Sequence, residues 1–368
     1  MERTGGKASL VIACGGTGGH LFPGLAVAEE WTARGGRVLL LVSEKKIDQE
    51  ARRKYTQYQF DTVPAMGKPA TFSPKMLPFL WRLWRTMGRC QQILKSFGAD
   101  AVLGMGGFTS LPPAWAAKKA GLPAFVHDSN ALPGKANRLT AKFCTKVFVG
   151  MEPAKRFFGG KEVVQTGTPV RAEMRALPDR YTAAEKFGLH PTKPTLLVTG
   201  GSQGARRLNS LVAQAFDQFP EGTQVLHIAG PGDQQRVQEE SGNKPGYKVI
   251  GFCDDMPSAY AVADAVLSRS GASSMTELSF LGLPSILVPF PFAADDHQTR
   301  NAEVFSQAGA AFLEPESALD AGKLAARVSS LMSDLQTRER MAQAARSLAA
   351  PDAAARVCGA IEATLSRN

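Results

Sequence analysis

Short apolar runs alternate along the chain with stretches whose apolar positions recur every third or fourth residue, and glycine-rich breaks fall between them. The densest example, over residues 266–301, reads VLSRSGASSMTELSFLGLPSILVPFPFAADDHQTRN. An apolar run at 265–267 breaks into Arg269-Ser270-Gly271-Ala272-Ser273-Ser274. Met275, Leu278 and Leu281 then share one helical face, and Gly282 is placed to stop the helix. A second apolar run at 284–288 ends at Pro289-Phe290-Pro291. The pattern predicts strand, Gly/Ser loop, helix and strand: one right-handed crossover of a parallel sheet. Such a loop lies beyond the carboxyl end of a strand, where open α/β sheets bind ligands. Free amides at the following helix N-terminus suit an anion such as a diphosphate. Glu277, in the early part of that helix, either favours the positive helix end or accepts hydrogen bonds from a vicinal diol such as a ribose. Asp295-Asp296-His297-Gln298 reads either as a capped helix start or as part of the same nucleotide site.

The same alternation organises the rest of the chain. Residues 9–14 read as a buried strand, followed by Gly15-Gly16-Thr17-Gly18-Gly19-His20 and a helix over 23–34. A strand at 38–42 follows, then one at 101–104 that opens into Met105-Gly106-Gly107-Phe108-Thr109 and a helix at 111–120. A strand at 123–127 ends in Asp128-Ser129-Asn130, and a helix at 133–142 and a strand at 146–149 complete this half. Three loops at strand carboxyl ends, GGTGGH, GMGGF and HDSN, then fall along one edge of one sheet. The pattern pauses at Gly167-Thr168-Pro169-Val170-Arg171. It restarts with a strand at 195–199, the loop Gly200-Gly201-Ser202-Gln203-Gly204 and a helix at 205–219. Further runs at 224–229 and 247–251 precede the stretch described first. Helices fill 320–350, Pro351 breaks them, and Asp352 caps a last helix to Ser366. The chain therefore reads as two similar nucleotide-fold halves with a boundary near residue 170.

Composition narrows this picture. A length of 368 residues suits two ordinary domains. The net charge of +10 is not gathered into a block or tail, which speaks against a nucleic-acid arm. The five cysteines, Cys14, Cys90, Cys144, Cys253 and Cys358, form no CxxC pair and read as buried thiols of a reducing compartment. The apolar run near the N-terminus is too short for a signal peptide, and no later run reaches membrane-spanning length, so a cytoplasmic protein is expected. The first glycine-rich turn is not a dinucleotide fingerprint: Leu21 stands at the third glycine position, and Glu44 comes late for an acid on a ribose. His20 reads as a catalytic base or as a capping and packing group. Residues 72–97, FSPKMLPFLWRLWRTMGRCQQILKSF, are basic, rich in aromatics and free of acids. That suits a helix at a membrane interface, or a core helix with a basic outer stripe.

Taken together, GGTGGH, GMGGFTS, TGTPVR, GGSQGA, SRSGASSMTEL and DDHQTRNA resemble glycosyltransferase family 28, in the same order over nearly the whole chain. The likeness is to its undecaprenyldiphospho-muramoylpentapeptide β-N-acetylglucosaminyltransferases of peptidoglycan synthesis. The resemblance implies an α/β protein of GT-B fold, two Rossmann-like domains with parallel sheets facing a central cleft. It implies an acceptor- and membrane-facing domain at 1–169, joined by the helix at 352–368, and a UDP-GlcNAc-binding domain at 170–351. The implied reaction moves N-acetylglucosamine from UDP-GlcNAc to the muramoyl 4-hydroxyl of lipid I, with anomeric inversion, to give lipid II. No metal or other cofactor and no nucleic acid is implied. The expected location is peripheral, on the cytoplasmic face of an anionic inner membrane, with other cell-wall synthesis proteins as partners.

Site residues follow motif by motif from the resemblance. Thr17, Gly18, Gly19 and His20 reach the donor sugar and the acceptor. Asn130 contacts the donor sugar, and Arg171 and Ser202 hold nucleotide and diphosphate. Cys253 lies along the uracil, where the family often has an aliphatic residue. Ala272, Ser273, Ser274, Met275 and Thr276 wrap the diphosphate and nucleoside, Glu277 takes the ribose hydroxyls, and Gln298 faces the sugar. The family's His-Glu-Gln-Asn is His127-Asp128-Ser129-Asn130 here, one methylene shorter at the acid. His20 is the first candidate for the base that deprotonates the acceptor, and Asp128 the second. Phe79, Trp81, Arg82, Trp84 and Arg85 are the expected membrane contacts. Two other enzyme readings compete, a UDP-GlcNAc 2-epimerase and a different UDP-sugar transferase. A nucleotide-binding oxidoreductase and a non-catalytic sugar-nucleotide binder complete the alternatives.

Overall fold

Uninterrupted apolar runs allow both faces of a strand to be buried, a condition met by parallel sheets covered with helices. The computed structural model describes residues 8–64, 74, 76–200 and 205–367. The chain divides into two units, Met1–Arg171 with Ala350–Asn368, and Ala172–Ala349. Among the described residues, the first unit has seven strands: β1 (Ser9–Ala13), β2 (Arg37–Val42), β3 (Gln59–Thr62), β4 (Ala101–Gly104), β5 (Ala124–Asp128), β6 (Lys146–Val149) and β7 (Glu162–Gln165). They lie in the order β3-β2-β1-β4-β5-β6-β7, and every pairing is parallel. Its helices are α1 (Gly18–Ala33), α2 (Lys46–Lys54), α3 (Met76–Phe97), α4 (Leu111–Lys119) and α5 (Lys135–Thr140).

The second unit has β8 (Thr195–Thr199), β9 (Gln224–Ile228), β10 (Tyr247–Ile250), β11 (Ala265–Ser268), β12 (Ser285–Leu287) and β13 (Ala311–Leu313). Their order is β10-β9-β8-β11-β12-β13, again wholly parallel. Around them run α6 (Arg180–Phe187), α7 (Arg206–Ala215), α8 (Gln234–Glu240), α9 (Met256–Ala261), α10 (Ala272–Leu281), α11 (His297–Gln307), α12 (Ala321–Met332) and α13 (Leu335–Ser347). The last helix, α14 (Ala353–Leu365), belongs to the first unit.

Side chains alternate across each strand, so each sheet carries apolar layers on both faces. Leu10 and Ile12 pack with Leu21, Leu25 and Trp31 of α1 and with Val357 and Ile361 of α14. Val11 and Ala13 pack on the other face with Ile93, Leu94 and Phe97 of α3. Arg34 adds an ion pair to Glu362 of α14 at 2.8 Å. In the second unit Leu196 and Val198 pack with Leu208 and Val212 of α7 and Val328 of α12. In both sheets the strand order reverses beside the first strand, between β1 and β4 and between β8 and β11. Those two points are where an open α/β sheet accepts a ligand.

Three details depart from the sequence reading. Helix α1 begins at Gly18, not at Pro23: the Thr17 carbonyl accepts from the amides of His20 and Leu21 at 3.1 and 3.0 Å. Pro23 lies inside the helix, where its missing N–H leaves only the Gly19 carbonyl without its helical partner. His20 is therefore a first-turn residue rather than a loop residue. Asp352 precedes α14 without capping it; its carboxylate takes the Arg356 guanidinium at 2.8 Å instead. Edge strands β3 and β7, QFDT and EVVQ, lack the apolar run that marks the central strands, and their side chains are half-buried or exposed.

Candidate active site

The first unit brings GGTGGH, GMGGF and HDSN to the carboxyl ends of the neighbouring strands β1, β4 and β5. His20 Nδ1 lies 3.2 Å from Thr17 Oγ1. Gly106 and Gly107 pass beneath the imidazole. A Cβ on Gly106 would stand 3.0 Å from His20 Cδ2 and Nε2, and the backbone there has φ +117°. Only glycine allows this approach. Burial against these neighbours pushes the His20 pKa down to about 4; Asp48 pulls it up and Lys45 adds to the fall. The imidazole is therefore neutral at pH 7. In the tautomer that donates Nδ1–H to Thr17 Oγ1, the Nε2 lone pair is available to take a proton.

Asp128 does not fit the role of base. It is only 2% exposed, and both carboxylate oxygens are occupied. Oδ1 accepts from the Asn130 amide at 2.8 Å and from Asn130 Nδ2 at 3.2 Å. Oδ2 accepts from Gly134 N at 3.1 Å and Asn137 Nδ2 at 2.7 Å. A carboxylate whose acceptor positions are filled from within holds the loop; it has none left for a substrate hydroxyl. Burial raises its pKa, against those hydrogen bonds. Asn137 was not singled out from the sequence. It is buried in α5 and also accepts from Gly107 N at 3.0 Å, so it ties the loop after β4 to the loop after β5. His127 is fully buried and donates from Nε2 to the Gly167 carbonyl at 2.9 Å. The Arg171 guanidinium lies 4.0 Å from the centroid of the Phe22 ring, within the first unit.

In the second unit the loop after β11 leads directly into α10. The N-cap is Gly271, so no side chain caps the helix, and an uncapped helix N-terminus suits an anion. Ser273, Ser274, Thr276 and Glu277 are half-buried along one side of α10. Met275 does not belong with them. Its side chain is fully buried and its amide is spent on the Gly271 carbonyl at 3.0 Å, so it offers a ligand nothing. Ala272 is 8% exposed, which leaves its backbone as its means of contact. Tyr260 donates its hydroxyl to Glu277 Oε2 at 2.8 Å. Cys253 lies just below the surface beside the exposed Phe252 ring, and burial raises its pKa. Gln298 accepts from the Phe290 amide at 2.9 Å, which fixes the turn after β12. Arg269 holds the same turn from beneath by donating to the carbonyls of Val288 and Pro289. Ser202 lies outside the described residues.

Helix α3 carries two apolar stripes. Phe79, Cys90, Ile93, Leu94 and Phe97 face the core, whereas Leu77, Leu80, Trp81 and Trp84 are exposed, Trp84 by 71%. Phe79 is thus not a surface contact: it is buried edge-on against Phe108, with ring centroids 6.1 Å apart. Arg82 and Arg85 are exposed, and the Arg85 guanidinium lies 5.4 Å from the centroid of the Trp81 ring. Among the described residues no helix is long and apolar enough to cross a membrane.

Residues 10–149 match the glycosyltransferase family 28 N-terminal domain and residues 195–357 the family 28 C-terminal domain. A UDP-N-acetylglucosamine–N-acetylmuramyl-(pentapeptide) pyrophosphoryl-undecaprenol N-acetylglucosamine transferase of Shewanella oneidensis is 38% identical, over 97% of this chain and 98% of the relative. The enzyme of the same name from Desulforamulus reducens is 34% identical, over 97% and 99%. Among solved structures, MurG of Acinetobacter baumannii matches with a TM-score of 0.76 at 28% identity, over 97% of this chain and 99% of that one. A UDP-GlcNAc 2-epimerase from Neisseria meningitidis shares the fold with a TM-score of 0.70 at 15% identity, over 98% of this chain and 100% of its own.

Proposed function

The chain belongs to glycosyltransferase family 28 and has its GT-B fold, and we propose that it transfers N-acetylglucosamine from UDP-N-acetylglucosamine to the lipid-linked N-acetylmuramyl-pentapeptide. The observation that carries this reading is identity of 34–38% along almost the whole chain to relatives named for that activity. The uncapped N-terminus of α10 beside Glu277 supports it, since a nucleoside diphosphate needs amides for phosphate and an acceptor for the ribose hydroxyls.

The second unit takes the donor. The α10 amides with Ser273, Ser274 and Thr276 hold the diphosphate, Glu277 the ribose, and the Cys253 region the uracil. Gln298 meets the sugar, and Ser202 adds to the diphosphate contacts. Thr17, Gly18 and Gly19 of the first unit present the acceptor to His20. His20 Nε2 takes the proton of the muramoyl 4-hydroxyl as that oxygen bonds to the anomeric carbon. The bond from that carbon to the diphosphate breaks, UDP leaves with the electron pair, and the configuration inverts. Donors fixed at a helix N-terminus stabilise the charge that develops on the leaving group.

The acceptor is lipid-linked, so the first unit works at the cytoplasmic face of the inner membrane, as a peripheral protein. Trp81 and Trp84 enter the headgroup boundary while Arg82 and Arg85 meet anionic lipid, each basic residue contributing about 1 kcal/mol.

The test is transfer of labelled N-acetylglucosamine to a short-chain lipid I analogue, with UDP-glucose and UDP-GalNAc as competing donors. Transfer selective for UDP-GlcNAc is expected. Absence of transfer to an authentic acceptor overturns the reading.

A further inference from the structure

We propose that Asp48 is a positioning residue for the transfer reaction: it fixes the peptide that carries His20 and supports the imidazolium formed when His20 accepts a proton. The inference rests on the reading of His20 as the base. Asp48 comes from α2, in the charged run SEKKIDQEARRK, which in sequence looks like a solvated helix. It is nevertheless fully buried. Its Oδ2 accepts from Gly16 N at 2.8 Å, from Ser43 N at 2.9 Å and from the Ser43 hydroxyl. Its Oδ1 is buried with no hydrogen-bond partner among the described residues. A buried carboxylate with an unmade acceptor position costs stability, so packing alone does not account for an acid here.

The geometry points toward His20. Lys45 Nζ donates to the Gly16 carbonyl at 2.8 Å, so α2 and the residue before it grip both polar groups of Gly16. Gly16 has φ +113°, a conformation that other residues rarely adopt. The next residue, Thr17, starts α1 and touches His20 Nδ1. The charged or titratable groups that act on His20 are Asp48 and Lys45, and on the β5 side the neutral, buried His127. Asp48 favours the imidazolium and Lys45 disfavours it. Asp48, held on the peptide one residue before Thr17, contributes a fixed negative charge that favours the positive charge formed on His20, and that lowers the barrier.

The signs of the two charges supply the test. The pH dependence of kcat is measured in short assays for wild type and for the His20→Ala, Asp48→Asn and Lys45→Met variants, with melting temperatures alongside. Asparagine keeps an acceptor oxygen for Gly16 and Ser43 and removes only the charge. In Asp48→Asn the acid limb of kcat is expected to move to lower pH and the plateau to fall several-fold, with the donor KM unchanged. In Lys45→Met, a change at an exposed side chain, the limb is expected to move to higher pH. A limb that is lost in His20→Ala yet unmoved in both charge variants overturns the inference alone. If Asp48→Asn does not fold, Lys45→Met decides by the same criterion. A limb that survives in His20→Ala overturns the base assignment and the inference with it.

Discussion

The two units share a strand order over six strands, the first adding β7 at its edge, and differ at the carboxyl ends of their sheets. In the first, buried polar side chains fix the loops: Asp48 holds Gly16, Asn137 joins Gly107 to Asp128, and Asp128 gathers four donors. In the second, α10 starts at a glycine with no side-chain cap. At one set of strand ends buried side chains fill the loops around an imidazole; at the other a helix begins with no side-chain cap. The proposed division, proton handling in the first unit and phosphate binding in the second, rests on this difference in which side chains fill the loops.

The sharpest way to break this contrast is at His20. His20→Ala is expected to lower kcat by about 10²–10⁴-fold, the range for a lost general base. Donor KM should change little, and steady-state kinetics with UDP-GlcNAc varied at saturating acceptor read both values. Asp128→Ala is expected to act on the fold instead. It strands the Asn137, Asn130 and Gly134 donors, each costing roughly 1–3 kcal/mol if left unmet, and denaturant melts should show the loss. A variant of normal stability with kcat reduced a hundredfold would return Asp128 to the chemistry.

On the other unit, Glu277→Ala is expected to weaken donor binding by roughly 1.5–3 kcal/mol, the range for hydrogen bonds to a charged group. A 2′-deoxyuridine donor should bind wild type poorly and the variant about equally poorly. Strong discrimination between the two donors by the variant would remove Glu277 from the ribose.

Acid should reveal the contrast more gently. Burial lowers the folded-state pKa of His20 and His127 to about 4, and of His227 in the second unit to about 3. The unfolded chain takes up protons near pH 6.5 while the folded chain does not, so these groups cost stability as pH falls below about 6.5 and cost no more below their folded values. Asp128, whose pKa is raised, works in the opposite sense. Melting curves between pH 7 and 4 should fall, and His127→Gln and His227→Gln should flatten the fall. A flat profile in wild type would contradict the buried neutral imidazoles.

Much of this was legible in the sequence, and the failures share a cause. Central strands announce themselves because both faces are apolar, and Gly282 marks the end of α10 by adopting the left-handed conformation that the pattern requires. Edge strands β3 and β7 do not, because one side meets solvent. Asp48 and Asn137 were missed because a polar residue buried by tertiary packing has the same letter as one in water. Phe79 and Met275 illustrate the converse: each lies on the buried face of a helix whose other residues are more exposed, and a motif read as a string does not separate the two faces. Proline misled at the start of α1, because the helix begins at Gly18 and runs through Pro23 with the loss of one hydrogen bond to the Gly19 carbonyl.

Calorimetric titration of UDP-GlcNAc into wild type, His20→Ala and Glu277→Ala tests the division of labour between the two sheet edges most directly. The account predicts that His20→Ala binds the donor within about twofold of wild type, while Glu277→Ala loses at least about tenfold, the lower end of the hydrogen-bond range above. Equal losses in both variants, or a loss confined to His20→Ala, would contradict it.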